Sequence, residues 1–148
     1  MRIEKYQELL SDQIKPVDKE RVKKQTLLGL VSGLGQVAAA IQQDSPDKKE
    51  QIMDAVAKMS HDLIIYARSN GIVLADPTFL FDSTVGDIIT DEVYRLIEAL
   101  PHAGLGNPQL RLNIIYTLGI SLGLQDEDYK SALQKLYKVK RSESTNLH

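Results

Sequence analysis

The chain has no cysteine and no tryptophan in its 148 residues. Disulfides, thiolate-held zinc and iron–sulfur centres are therefore excluded. Aromatic residues amount to only 5%, so a surface that stacks nucleic-acid bases is poorly provided for. No apolar run approaches the ~18 residues that suggest a membrane span. The polar start Met1-Arg2-Ile3-Glu4-Lys5 is unlike a secretory signal. Charge is nearly balanced, at −2, which removes any whole-chain argument for nucleic acid. A cytoplasmic protein is expected, with neither a membrane nor a nucleic-acid partner. His61, His102 and His148 share no ligand spacing, so zinc is not expected. Nucleophilic catalysis finds no G-x-S-x-G elbow, and Gly104-Leu105-Gly106 is a turn-permitting pair rather than a phosphate-cradling loop.

What is present is helix. With 43% hydrophobic residues, a chain of this length forms one domain that hides roughly 70% of its unfolded surface. Leu27, Val31, Leu34, Ala38 and Ile41 recur at steps of four and three, and so do Ile52, Val56, Met59, Leu63 and Tyr66. Each set falls on one helical face. Between them Gln43-Asp44-Ser45-Pro46-Asp47 is a turn, with Ser45 as N-cap and Pro46 as first helical residue. Asn70-Gly71-Ile72 closes the second helix with a left-handed glycine cap and a hydrophobe behind it.

The same test extends outward. Tyr6, Leu9, Leu10 and Ile14 give a short first helix broken near Pro16. Val73 to Phe81 is apolar but has no partner strand, so it reads as a packed loop. Val85, Ile89, Val93, Leu96 and Leu100 form a further helix up to Pro101. Asn107-Pro108 starts the next as cap and first residue, and Leu122-Gly123-Leu124 ends it. Asp126 caps a last helix carrying Tyr129, Leu133 and Leu136. The expected fold is an all-α antiparallel bundle of five to six helices. One domain covers 1–141, with a hairpin at 19–72, further helices at 84–124 and a last helix at 126–141. Residues 142–148 are expected to fray.

The hairpin resembles the MazG-like, all-α nucleoside-triphosphate pyrophosphohydrolases. The matching stretches are Leu27-Leu28-Gly29-Leu30-Val31-Ser32-Gly33-Leu34-Gly35-Gln36-Val37-Ala38-Ala39-Ala40-Ile41 and Asp54-Ala55-Val56-Ala57-Lys58-Met59, ending in Gly71-Ile72. In that family the first helix reads roughly G-L-x-G-E-x-G-E-x-x-E and the second carries E-L-G-D-V. Those carboxylates hold the magnesium that engages the triphosphate. Carried across, they fall on Gly33, Gln36, Ala39, Ala55 and Lys58, and none is a carboxylate. Lys135-Leu136 with Lys138, Lys140 and Arg141 resembles the basic end of family members, although Ala132 stands where an asparagine is frequent. The minimal family domain has fewer helices, so 76–106 reads as an elaboration.

The missing acids bear on function. Magnesium is a hard cation that takes oxygen ligands, usually one or two of them carboxylates. Lys58 would repel it. The resemblance therefore implies a catalytically degenerate, non-enzymatic helical oligomer that binds a nucleotide or a protein partner. No cofactor is needed under that reading. Candidate ligand-binding residues are Gly33, Gln36, Lys58 and His61, with Lys58 and His61 facing the old triphosphate cleft. The alternative is an active magnesium-dependent pyrophosphohydrolase whose ligands have moved to Asp54, Asp62, Asp87 and Asp91. Each acid also has a plain explanation. Asp54, Lys58 and Asp62 suit an ion-pair ladder at steps of four. Asp87, Asp91 and Glu92 suit a helix start, where Thr90 is a possible cap, and Asp126, Glu127 and Asp128 suit another. Finally, Gly29 and Gly33 share a small-residue face with Gln36 and Ala40. Each glycine costs up to ~1 kcal/mol in a helix, which points to a close helix contact. A subunit contact would make the protein a homodimer or homotetramer.

Overall fold

A computed structural model of the chain describes residues 2–10, 18–80, 84–99 and 105–146, with backbone alone for 85, 96–99 and 141–146. Six helices are found in them and no strand: α1 (Ile3–Leu10), α2 (Lys19–Gln43), α3 (Lys48–Ser69), α4 (Val85–Ala99), α5 (Pro108–Ser121) and α6 (Asp126–Asn146). The last runs past 141 into the stretch expected to fray. Ile14, Pro16, Leu100 and Pro101, which figured in the expected helix ends, lie outside the described residues, as does His102. No helix among the described residues is long and apolar enough to cross a membrane.

The hairpin of α2 and α3 is the spine, and its register differs from the expectation. The buried row of α2 is Leu27, Leu30, Leu34 and Val37, whereas Val31 is 44% exposed and Ala38 and Ile41 are only half-buried. So much of α2 is apolar that two rows can be threaded at the same spacing, and packing selects the second. On α3 the expected row holds, with Ile52, Val56, Met59 and Leu63 buried. The turn differs too. Asp44 takes a left-handed conformation (φ 46) and α3 starts at Lys48 behind Asp47, so neither Ser45 nor Pro46 occupies the expected cap and first-turn positions.

Helix ends elsewhere follow from local chemistry. Gly71 (φ 70) closes α3, with the Ile72 N–H donating to the Ala67 carbonyl at 2.8 Å. Ile72 itself is 39% exposed, and the apolar anchor of this corner is the buried Leu74. Asn107 caps α5 by accepting the N–H groups of Gln109 and Leu110, with Pro108 in the first turn. Gly123 (φ 98) repeats the α3 ending at the end of α5. At α4 the cap is Thr84, whose hydroxyl accepts the Asp87 N–H at 3.3 Å, while Thr90 donates within the helix to the Gly86 carbonyl. At α6 Asp126 does not cap. Asp128 accepts the Gln125 N–H at 2.8 Å, the backward arm of a capping box.

α3 is the central helix, contacted by α1, α2, α5 and α6, while α4 packs on α2 and α5. α5 comes close at Gly119, where a side chain would crowd Leu124 and Val56. Tyr129 of α6 donates to the Ser60 hydroxyl at 2.9 Å, and the Tyr6 hydroxyl of α1 meets His61 Nδ1 at 2.7 Å. Residues 73–80 form a strap rather than a strand. Its N–H groups at Ala75, Thr78 and Leu80 donate to Gln109, Asn113 and Thr117, a row spaced by four on α5.

Candidate functional site

Asp54 and Lys58 stand one turn apart on α3, and a groove runs along each side of them. On the α2 side, Gln36, Ala39, Ala40, Gln43 and Gln51 join these two around about 320 Å³. On the α6 side, Ala57, Ala132, Lys135, Leu136 and Val139 join them around about 190 Å³. Each wall is a helical row spaced by threes and fours, so the grooves are consequences of α3 packing between α2 and α6. Gln36, Asp54, Lys58 and Lys135 are exposed.

Neither Lys58 nor Lys135 makes an ion pair within 4.0 Å among the described residues, and the expected ladder from Asp54 through Lys58 to Asp62 does not form. Two ammonium groups thus border the α6-side groove, with one carboxylate, Asp54, beside them. Neutral amides of Gln36, Gln43 and Gln51 border the other.

The four candidate ligand residues are split by the fold. Gln36 and Lys58 line the α2-side groove. Gly33 does not; it is buried against α3, where a Cβ would overlap the Met59 side chain. Gly29 is similar, since a Cβ there would overlap the Asp62 carboxylate. The two glycines of the small face of α2 are therefore spent on a contact within the chain. His61 also turns inward. It is 6% exposed, bonded to Tyr6 and met edge-on by its ring. Burial, with the Lys140 charge adding to it, lowers its pKa to about 4. It is a neutral core histidine and does not share the cleft with Lys58.

The alternative ligand set is not brought together either. Asp54 lines both grooves, Asp62 lies in the α2–α3 seam, and Asp87 and Asp91 are exposed on α4. Among the described residues no group of three His, Asp or Glu side chains is placed to hold a metal ion. Of the five positions where the resemblance expects carboxylates, Gln36, Ala39 and Lys58 line the α2-side groove, while Gly33 and Ala55 are buried in the helix contact. One amide and one ammonium do not make a magnesium site.

Glu92, grouped with Asp87 and Asp91 in the sequence, separates from them and enters the core. Its carboxylate receives Arg111 Nη1, and Arg111 Nε donates to the Leu105 carbonyl. The groove residues that sequence reasoning did not single out are Gln43, Gln51, Ala57 and Val139. Their signal was present as rows of threes and fours with Gln36, Asp54 and Lys135, but nothing local says that the two rows face across a gap. No family model matches the chain, and no curated protein or solved structure is significantly similar to it.

Proposed function

We propose that the chain is a catalytically degenerate, MazG-like helical protein that binds nucleotide phosphates without a metal and does not hydrolyse them. The observation that carries this reading is Lys58, exposed on α3 without an ion-pair partner among the described residues, with Lys135 bordering the same groove. The resemblance expects a metal carboxylate at Lys58. An ammonium there meets a phosphate directly as a point charge. Gln36, Gln43 and Gln51 on the other side offer neutral donors and acceptors to a base or sugar. Neither groove offers a set of carboxylates that would position an attacking water through a metal.

The displaced-ligand hydrolase needs at least two of Asp54, Asp62, Asp87 and Asp91 in one cavity, and only Asp54 lines the grooves described here. A homodimer or homotetramer remains part of the proposal, now through another face. Leu28 and Val31 are exposed apolar residues on α2, 69% and 44% accessible, with open space at Gly35 beside them. Light scattering at micromolar concentration tests it, and a monomer would remove it.

The decisive experiment has two arms. Calorimetry with a panel of nucleoside triphosphates in EDTA is expected to show binding that Lys58→Glu abolishes. Incubation of the same panel with magnesium is expected to release no pyrophosphate. Stoichiometric pyrophosphate release overturns the reading in favour of the hydrolase, and absence of binding overturns it altogether.

A further inference from the structure

Helix α4 buries one face and leaves another in solvent. Ile88 and Glu92 are buried, whereas Asp87, Asp91 and Tyr94 are exposed, Tyr94 by 63%. Steps of four and three place these last three on one side of the helix. Neither aspartate has an ion-pair partner among the described residues. An acid in the first turn complements the helix dipole, which accounts for Asp87 but not for Asp91 a turn later. A single exposed ring is ordinary. A ring flanked by two unpaired carboxylates has a shape and a charge that a partner can read.

The α6-side groove is the complement of that face. Ala57 of α3 and Ala132, Leu136 and Val139 of α6 form its apolar part, around about 190 Å³, a space suited to one aromatic side chain. Lys58 and Lys135 stand one on each wall, both without an ion-pair partner among the described residues. Asp54 is the one carboxylate of the lining, so the ammonium groups outnumber it. Packing on α2 and α5 holds a chain's own α4 away from a groove that lies between α3 and α6.

We propose that this groove is the docking site for α4 of a second copy of the chain, whose Tyr94 enters the apolar slot while its Asp87 and Asp91 pair with Lys58 and Lys135. Ion pairs at an exposed rim contribute little each, so the buried ring is the anchor. One such contact is small for a lasting complex. Made in both directions about a two-fold axis, it doubles and closes a dimer. It uses the two lysines of the phosphate-binding reading but needs no nucleotide, and it is separate from the α2 face around Leu28.

The test is sedimentation velocity on the full chain without nucleotide, at low ionic strength, where such pairs are least screened. Two charge-reversed forms are compared with the wild type, Asp87→Lys with Asp91→Lys and Lys58→Glu with Lys135→Glu, all at exposed positions. The wild type is expected to associate at micromolar concentration. Each reversed form alone is expected to associate at least about tenfold more weakly, because like charges then face each other. An equimolar mixture of the two is expected to recover association, since each α4 again meets a groove of opposite charge. Tyr94→Ser, which changes no charge, is expected to weaken association as well. A wild type that stays monomeric throughout the micromolar range overturns the proposal. Association untouched by either reversal places the contact on another face and overturns it too. Weakened reversed forms whose mixture recovers nothing overturn the pairing of α4 with the groove, and full association by Tyr94→Ser overturns the ring as its anchor.

Discussion

The Met59 side chain of α3 occupies the space above Gly33 of α2 that a Cβ would fill. This contact sets how closely the two longest helices approach, because Met59 is fully buried beneath α2. Gly33→Ala gains helix propensity but must displace Met59 from a packed core, and the second effect is the larger. A net loss of about 1–3 kcal/mol is expected. Gly35, two residues on, has nothing within 4 Å of its would-be Cβ, so Gly35→Ala is expected to stabilise by up to ~1 kcal/mol. Urea unfolding of the two variants checks both signs at once.

The buried pair of Glu92 and Arg111 fastens α4 to α5. Burial raises the Glu92 carboxyl, and the Arg111 charge and hydrogen bond act against the rise. Removing one partner leaves the other uncompensated in the core. Glu92→Gln or Arg111→Met is therefore expected to cost about 3–5 kcal/mol. The double replacement Glu92→Leu with Arg111→Met is expected to recover much of that loss, although the Leu105 carbonyl then loses its donor. A double-mutant cycle by urea unfolding supplies the coupling.

These two contacts mark what local pattern reveals and what it does not. Asn107-Pro108, Gly71 and Gly123 were readable because caps are chemistry among neighbours in sequence. The α3 face was readable because its apolar residues form only one row. On α2, Leu27, Leu28, Leu30, Val31 and Leu34 allow two rows, and only contact with α3 chooses between them. Glu92 and His61 were misread for the same reason: Arg111 lies 19 residues from the first and Tyr6 lies 55 from the second. The small face of α2 was correctly read as a close contact, but its partner could not be named, since a glycine records only that something comes near. Of the groove, Gln36 and Lys58 can be named from the sequence, whereas the gap they face depends on where α3 sits between α2 and α6.

The strap at 73–80 is held by side chains rather than by a backbone ladder. Asn113 accepts the Thr78 N–H at 3.1 Å, and Thr117 accepts the Leu80 N–H at 3.1 Å. Asn113→Leu and Thr117→Val are each expected to quicken exchange at the corresponding amide. The cost in global stability should be about 1 kcal/mol or less, smaller at Thr78, which is exposed to water that can replace the lost acceptor. Loss of protection spreading into α5 would mean that the strap and helix open as one unit.

Adjacent residues His61 and Asp62 give opposite pH dependences. His61 titrates near 4 in the folded chain against an ordinary 6.5. Its contribution is whole above about 6.5 and is lost as pH falls toward 4, because the unfolded state takes up the proton first. Asp62 titrates near 6 against an ordinary 3.8. The folded state binds that proton more tightly, so the contribution is whole below 3.8 and is lost as pH rises through 6. Between pH 6.5 and 4 the two therefore offset each other. Asp62→Asn deletes one and leaves the other. On acidification from pH 7 to 4, the variant is expected to lose roughly 1–3 kcal/mol more stability than the wild type. Urea unfolding at half-unit pH steps gives the difference curve, which subtracts every group the two chains share. A difference that stays flat across this range would show that Asp62 keeps an ordinary carboxyl in the fold, out in water rather than pressed against Gly29.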